Sequence, residues 1–364
     1  MPTPVLRPEA ANISLHDLSS REWRKCLAGY AKPNTLRASF QLLNTVLPFL
    51  GSMAVLLYGS GHADWFAWLM AIPATLFAVR LFVIQHDCGH VSFLRSRRCN
   101  ETVGRVISLM TLVPFGSWRR AHAVHHATTG NLDQRGTGDI TTLTVAEYLS
   151  QSTWRRMLYR AYRNPFVLLG LGPLYLLLVQ NRIPARTLRR DWRNWASVIG
   201  TDVGAAVIVM GASLIITPLV FLAAWFSVLY LASVIGIWLF CVQHQFGDTY
   251  WERSGRWAFQ TAAIEGSSFY DLPRILHWFT GYIGLHHVHH LASRIPNYHL
   301  RACLEQNREL QRTKRLTLWG SIKSARLALW DEEGRRLVSF RQIVGMPTRS
   351  SSSTPSLLAC RSQS

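Results

Sequence analysis

The stretch GLHHVHHLASRIPNYHL, residues 284–300, places four of the chain's fourteen histidines within five positions. Neutral imidazole is the commonest protein metal ligand, so a cluster calls for a partner cluster elsewhere. Two exist: HDCGH, with His86 and His90, and HAVHH, with His122, His125 and His126. The third, HHVHH, holds His286, His287, His289 and His290, and one outlier, His244, sits in VQHQF. On a helix, residues at i and i+3 or i+4 share a face. His86 and His90 therefore point the same way, and in HxxHH the first histidine faces both later ones. Three such sets on different elements could surround one metal or two. His16, His62, His277 and His299 stand outside the pattern.

The elements that must carry these sets are apolar. Residues 39–58, 63–84, 198–217 and 219–243 each form a block of about twenty residues, the helix length that crosses ~30 Å of hydrocarbon. One block could be a soluble core helix; four in two tight pairs predict four transmembrane helices arranged as two hairpins. Of 39 Lys and Arg, six lie in 1–38, sixteen in 85–197 and sixteen after Gln243. The short connectors, 59–62 and Pro218, hold none, and the remaining one, Arg80, is placed to snorkel from the end of its block. By the positive-inside rule both termini and the middle loop are cytoplasmic. All ten clustered histidines then fall on the cytoplasmic side, and His62 falls outside. A further apolar run, 165–180, is short, holds two prolines and is flanked by arginines, so it is read as interfacial or re-entrant. The domain expectation is a cytosolic arm over 1–38, one domain over 39–346, and a Ser-rich disordered tail over 347–364.

Several function classes drop out. The net charge of +19 is not organised as a nucleic-acid module, and topology together with anionic lipid headgroups explains its sign. The six cysteines form no CxxC and read as reduced thiols. No apolar core opens the chain, so no cleaved signal peptide is expected, and the NIS sequon at 12–14 would go unused on a cytoplasmic arm. HExxH is absent, which removes the general base of a zincin. Bis-histidine haem needs histidines within the spans, and the blocks hold none. Eight or nine imidazoles exceed one tetrahedral zinc site, whereas two metals with four or five each would use them. A membrane lipid without an easily activated bond favours iron and O2.

HDCGH, HAVHH and HHVHH resemble the three histidine boxes of the integral-membrane fatty acid desaturases. FCVQHQFGDTYWE looks like the segment before the third box, and GSSFYDLPRILHWFTGYIGLHHVHHLASRIPNYHL resembles the bacterial acyl-lipid Δ12/Δ5-type branch. The resemblance covers roughly residues 35–315. It implies an all-α membrane protein: four transmembrane helices plus a cytosolic helical cap carrying a histidine-rich di-iron site. By box matching it implies His86, His90, His122, His125, His126, His286, His289 and His290 as iron ligands, with His244 as an additional one. HxxHH spacing selects His286 with His289 and His290 and leaves His287 pointing elsewhere, as a supporting group. The first box, with three intervening residues, differs from the longer one of acyl-CoA Δ9 relatives.

The implied reaction uses O2 and two electrons to remove two hydrogens from a membrane lipid acyl chain, most simply as a Δ12/omega-6-like desaturation. With no electron-carrier domain in the sequence, the donor is expected to be a separate soluble protein, a ferredoxin in a bacterial inner membrane. Asp87 and Asp248 are the first candidates to orient a ligating imidazole through its other nitrogen, with Asp139 and Asp271 behind them. Gly89 and Gly284 are read as close-packing positions. A di-iron lipid hydroxylase or ketolase uses the same boxes, and a membrane metal carrier is the non-enzymatic alternative. A carrier needs ligands along its spans, which this sequence lacks.

Overall fold

A computed structural model describes residues 19–345. The tail 347–364, His16 and the NIS sequon lie outside the described residues. Helix α1, Ser20–Cys26, starts at a capping box between Ser19 and Glu22. The long helix α2, Thr35–Gly61, is capped by the Asn34 side chain. A 3-10 turn, Trp65–Met70, leads into α3, Ala71–Gly89. Helices α4 (Arg97–Thr111) and α5 (Phe115–Thr128) follow, then the short α6 (Val145–Ser150) and α7 (Thr153–Tyr162). A π-helical turn, Val167–Leu171, runs into α8, Gly172–Leu178. The second long pair is α9, Trp192–Ser213, and α10, Pro218–His244. Five short helices complete the cap: α11 (Phe259–Glu265), α12 (Arg274–Phe279), α13 (His286–Leu291), α14 (Asn297–Gln306) and α15 (Leu318–Ser324).

Each of the four expected blocks is carried mainly by helix: α2 and α10 outrun theirs at both ends, α3 runs on to Gly89 after a 3-10 entry, and α9 starts early, at Trp192, and stops at Ser213. The 27 residues of α10 span ~40 Å, against ~30 Å of hydrocarbon. The surplus matters because His86, His90 and His244 occupy the last turns and cap of α3 and α10, at one end of the bundle. Residues 167–188 form a fifth stretch long and apolar enough to cross a membrane by length and composition. It is broken into π, α and 3-10 pieces, with prolines and glycines interrupting it.

The bundle interior is α3 packed between α2, α4 and α10, with Leu56, Ala74, Leu81, Ile84 and Val228 buried. Facing outward are Leu36, Phe40, Leu47, Val203, Val207 and Met210. Such wide apolar surfaces on a folded chain mark contact with lipid or protein. Arg80 does not snorkel. It is buried, bonds Thr45 Oγ1 at 3.1 Å and the Trp278 carbonyl, and lies 3.9 Å over the Trp278 ring. Removing a charge from water is costly unless its donors are matched, and α12 supplies the match.

The cap is helical, with two small sheets as stitches. Strands 143–144, 329–331 and 336–338 form one sheet, and 269–271 pairs in parallel with 315–317 in the other. Within the range expected as an arm, Trp23, Leu27 and Tyr30 are buried against Val288, Leu291 and Ile295. Each such apolar side chain contributes about 1.5–3 kcal/mol on burial, so α1 helps hold the short helix α13 that carries HHVHH.

Candidate metal centre

Four elements converge at one end of the bundle. The last turn of α3 supplies His86 and its cap supplies His90. Helix α5 carries His122, His125 and His126, the final turn of α10 carries His244, and α13 carries His286, His289 and His290. The nine imidazoles sort into two sets. His86, His90, His122, His126 and His289 bring one nitrogen each within 4.8 Å of all the others, and so do His125, His244, His286 and His290.

The sorting follows from helix geometry. Residues four apart are offset by about 40° around the axis, and residues three apart by about 60° in the opposite sense. In α5 the i,i+4 pair His122 and His126 enters the five-histidine set, while His125 enters the other. In α13 the pattern is reversed: His286 and His290 enter the four-histidine set, and His289 crosses to the first. HxxHH thus does not present three histidines to one place; it straddles two. The sets abut, with the His126 and His290 rings stacked at 4.1 Å.

Within the first set, His122 Nε2 lies 3.1 Å from His90 Nε2 and 3.0 Å from His126 Nε2, which is 3.0 Å from His289 Nε2. Within the second, His244 Nε2 lies 3.2 Å from His125 Nε2 and 3.0 Å from His286 Nε2, which is 3.1 Å from His290 Nε2. Two nitrogens ~2.1 Å from one ion and at right angles are ~3.0 Å apart; a tetrahedral pair is ~3.4 Å apart. The nearest spacings suit nitrogens that share one ion. His86 Nε2 is buried with no hydrogen-bond partner, as expected of a nitrogen reserved for a metal.

Burial acts on the protonation of many of these rings, and neighbouring acceptors aim three of them. His90, His122, His126, His286, His289 and His290 all have pKa values well below the ordinary histidine range, first because burial penalises the cation and then because neighbouring imidazoles repel it. A neutral ring is the ligating form. Asp139 Oδ1 sits 2.5 Å from His125 Nδ1, the Gly266 carbonyl 3.0 Å from His244 Nδ1, and Asp87 Oδ1 3.2 Å from His86 Nδ1. The other Asp87 oxygen accepts from the Asn297 backbone N–H at 2.6 Å and side chain at 2.8 Å. Asn297 Oδ1 in turn accepts from Gln41 on α2 at 2.9 Å. Trp118 stacks on His122 at 4.6 Å.

The candidate supporting residues fall unevenly. Asp87 lies where its neighbour's ring needs it. Asp248 does not: its side chain is 66% exposed and pairs with Lys314 at 2.8 Å. It lies beyond α10, which ends at His244. Asp139 takes that role. Asp271 lies 3.8 Å from His277, away from both sets. His287 is buried outside both sets with Nε2 3.0 Å from the Leu310 carbonyl, and burial lowers its pKa to about 4. Asn297 and Trp118 had no signal in the spacing. The signal for Asp139 was the GTGD run: Gly138 adopts left-handed backbone at φ +75°, and a Cβ there would lie 3.1 Å from His125 Cβ. Gly89 and Gly284 are close-packing positions, with a Cβ landing 2.9 Å from Trp118 and 2.6 Å from the Tyr270 carbonyl.

Comparison with known sequences gives a consistent set of relatives. A family model described as fatty acid desaturase matches residues 63–321. A "Fatty acid desaturase" of Bacillus subtilis is 40% identical over 90% of this chain and 92% of its own length. An "sn-1 oleoyl-lipid 12-desaturase" of Synechocystis is 27% identical over 82% of this chain and 84% of its own. An "sn-1 acyl-lipid omega-3 desaturase (ferredoxin)" of the same organism is 32% identical, covering 65% of each chain.

Proposed function

The chain belongs to the fatty acid desaturase family, and from that premise we propose that it is an acyl-lipid desaturase with a di-iron centre. It is an oxidoreductase of the membrane. The observation that carries the di-iron reading is the division of nine buried or half-buried histidines into two abutting sets. His86, His90, His122, His126 and His289 would hold one iron, and His125, His244, His286 and His290 the other. Two irons bound there would supply O2 activation. The balanced reaction takes an acyl –CH2–CH2– unit, O2, two electrons and two protons to –CH=CH– and two waters.

The chain's own residues prepare this chemistry. Burial keeps His90, His122, His126, His244, His286, His289 and His290 neutral, so their lone pairs are free for the metal. Asp139, Asp87 and the Gly266 carbonyl accept the Nδ1–H of their rings, fix the tautomer and raise the basicity of the opposite nitrogen. The four-histidine set is buried throughout, which keeps bulk water from competing with substrate.

The histidines gather at the end of the bundle that the arginine distribution assigns to the cytoplasm, so the active site and both termini face that side. The run 165–180 is read as interfacial, its broken helix suiting a segment that enters lipid without crossing it. A soluble ferredoxin supplies the electrons, a reading supported by the name of the Synechocystis omega-3 relative. Introduction of a cis double bond at the Δ12/omega-6 position is favoured by the 12-desaturase relative. Lipid analysis after expression in a host without polyunsaturated lipids tests this. A new O2-dependent double bond is the expected result. A hydroxylated chain would instead make the protein a lipid hydroxylase, and no O2-dependent product would overturn the enzymatic reading.

A further inference from the structure

His90, the residue that caps α3, lies on the wall of an open pocket of about 520 Å3. Pro33 from the link between α1 and α2, Val91 and Arg95 from the link between α3 and α4, Arg97 at the start of α4, and Arg294 between α13 and α14 line it with His90. Val91 stands at φ +56°, a left-handed backbone that costs a β-branched residue about 1–3 kcal/mol. The turn is held by bonds from the Val91 N–H to the Cys88 carbonyl at 3.1 Å and from the Ser92 N–H to the Asp87 carbonyl at 3.0 Å. It ends α3 at a member of the five-histidine set and leaves that ring partly exposed at the pocket. Strain of this kind persists where the surrounding structure imposes it, commonly at functional sites.

The rim of this pocket is positive. Arg95, Arg97 and Arg294 are exposed, as are their sequence neighbours Lys32 and Arg98. Arg97 shares Glu101 with Arg119, each at 3.2 Å, and Arg95 donates to the Pro33 carbonyl at 3.3 Å. Arg95, Arg294, Arg98 and Lys32 have no ion-pair partner among the described residues. Another part of the cap does the reverse. There Arg253 pairs with Asp133 and with Glu332, each at 2.9 Å, and Glu252 takes Arg256 at 3.1 Å and Arg335 at 3.3 Å. Positive charge is thus left uncancelled where a metal-set imidazole meets solvent. Free guanidinium forks take carboxylates bidentately, and a basic patch steers an acidic protein toward itself.

We propose that this pocket docks an acidic electron-carrier protein, a carboxylate-bearing loop of which seats among Arg95, Arg97 and Arg294 against the His90 ring. Two reduced carriers dock in turn. Each passes one electron in through His90 and leaves oxidised by one electron. The two electrons are those taken up, with O2 and two protons, as –CH2–CH2– becomes –CH=CH– and two waters form. The five-histidine set is the entry side for electrons, and the four-histidine set, buried throughout, is the enclosed side. This rests on the desaturase reading with a soluble donor, and it adds the surface, the charge and the ring through which that donor acts.

The test uses the iron-loaded full chain in discs of uncharged lipid, with a purified acidic two-iron ferredoxin as the probe. Binding of the oxidised probe needs no turnover. Its affinity should fall about tenfold or more in Arg95→Glu and in Arg294→Glu, and should weaken with added salt. Arg190→Glu, the same charge change on the exposed loop before α9, should alter it by less than about twofold. In Arg294→Lys, a zero-length carbodiimide should join residue 294 to a probe carboxylate. In kinetics, Arg294→Glu should raise KM for the reduced probe far more than KM for the acyl lipid. Iron per chain and melting temperature are measured in every variant, so that a folding failure is recognised. No binding to the unaltered chain, affinity indifferent to Arg95→Glu and Arg294→Glu, or an equal loss in Arg190→Glu would overturn the proposal. Loss of bound phosphatidylglycerol from the two pocket variants with probe affinity unchanged would make the rim a lipid-headgroup contact and overturn it as well. The desaturase reading stands or falls separately, on the O2-dependent double bond.

Discussion

The two histidine sets are built from shared parts and differ in how they are enclosed. The five-histidine set takes two residues each from the α3 terminus and α5 and one from α13; the four-histidine set takes one each from α5 and α10 and two from α13. His90, His122 and His126 of the first are partly exposed, whereas all four members of the second are buried. The first is braced by Asp87, itself held by Asn297; the second by Asp139 and a backbone carbonyl. Because α5 and α13 serve both sets, neither can be displaced without disturbing the other, and substitutions in the two should not act additively. The difference in enclosure leaves the first set nearer to solvent and the second dry.

The largest effects are expected from removing one ligand on each side. His289→Ala and His125→Ala should each abolish turnover and iron loading while leaving membrane insertion intact. The loss should exceed the ten- to hundredfold typical of an outer partner. Full turnover in either variant would remove that set from the catalytic centre. Next come the carboxylates. Asp139→Asn should lower iron affinity or activity by about 10–100-fold. Asp87→Asn should do the same and in addition lower stability by about 1–3 kcal/mol, because the Asn297 donors lose a charged acceptor. Thermal melts beside iron titrations separate the two; equal melting would show that the bracing is alike.

Acidification probes both sets at once. The folded pKa values of six clustered histidines, and of His287 at about 4, lie below the ordinary 6.5. Below that pH the unfolded chain takes up protons that the folded chain refuses, so stability rises with pH and is lost on acidification. The metal-free protein should melt progressively lower as pH falls from 7.5 toward 5. A pH-independent melting temperature would contradict the buried, neutral state. Gly138→Ala, which forces a Cβ into left-handed backbone at φ +75° against His125 and the Ala121 carbonyl of α5, should cost about 1–3 kcal/mol and lower iron content. Asp248→Asn should change stability by less than about 0.5 kcal/mol and leave iron content unaltered.

Much of this was legible in the sequence because it depends on local periodicity. The four apolar blocks announce the long helices, and HxxxH and HxxHH announce shared faces. What spacing cannot say is which face meets which. The division of HxxHH between two sites depends on where α3, α5, α10 and α13 cross, which is a matter of tertiary packing. The same limit explains the carboxylates. Asp87 adjoins its ring in sequence, so its place beside His86 is legible there; Asp248 sits past the end of α10 on an exposed stretch paired with Lys314, which only the folded chain shows. Asp139 reaches His125 through a glycine turn that only a folded loop reveals. Arg80 reads as a snorkelling residue until α12, nearly two hundred positions later, covers it.

The central claim is that two unequal histidine sets each hold an iron. Iron quantification with Mössbauer spectroscopy on purified, active, 57Fe-enriched protein tests it most directly. Two irons per chain in two distinguishable environments of equal area are expected. An active sample with one iron per chain, or none, would contradict the account.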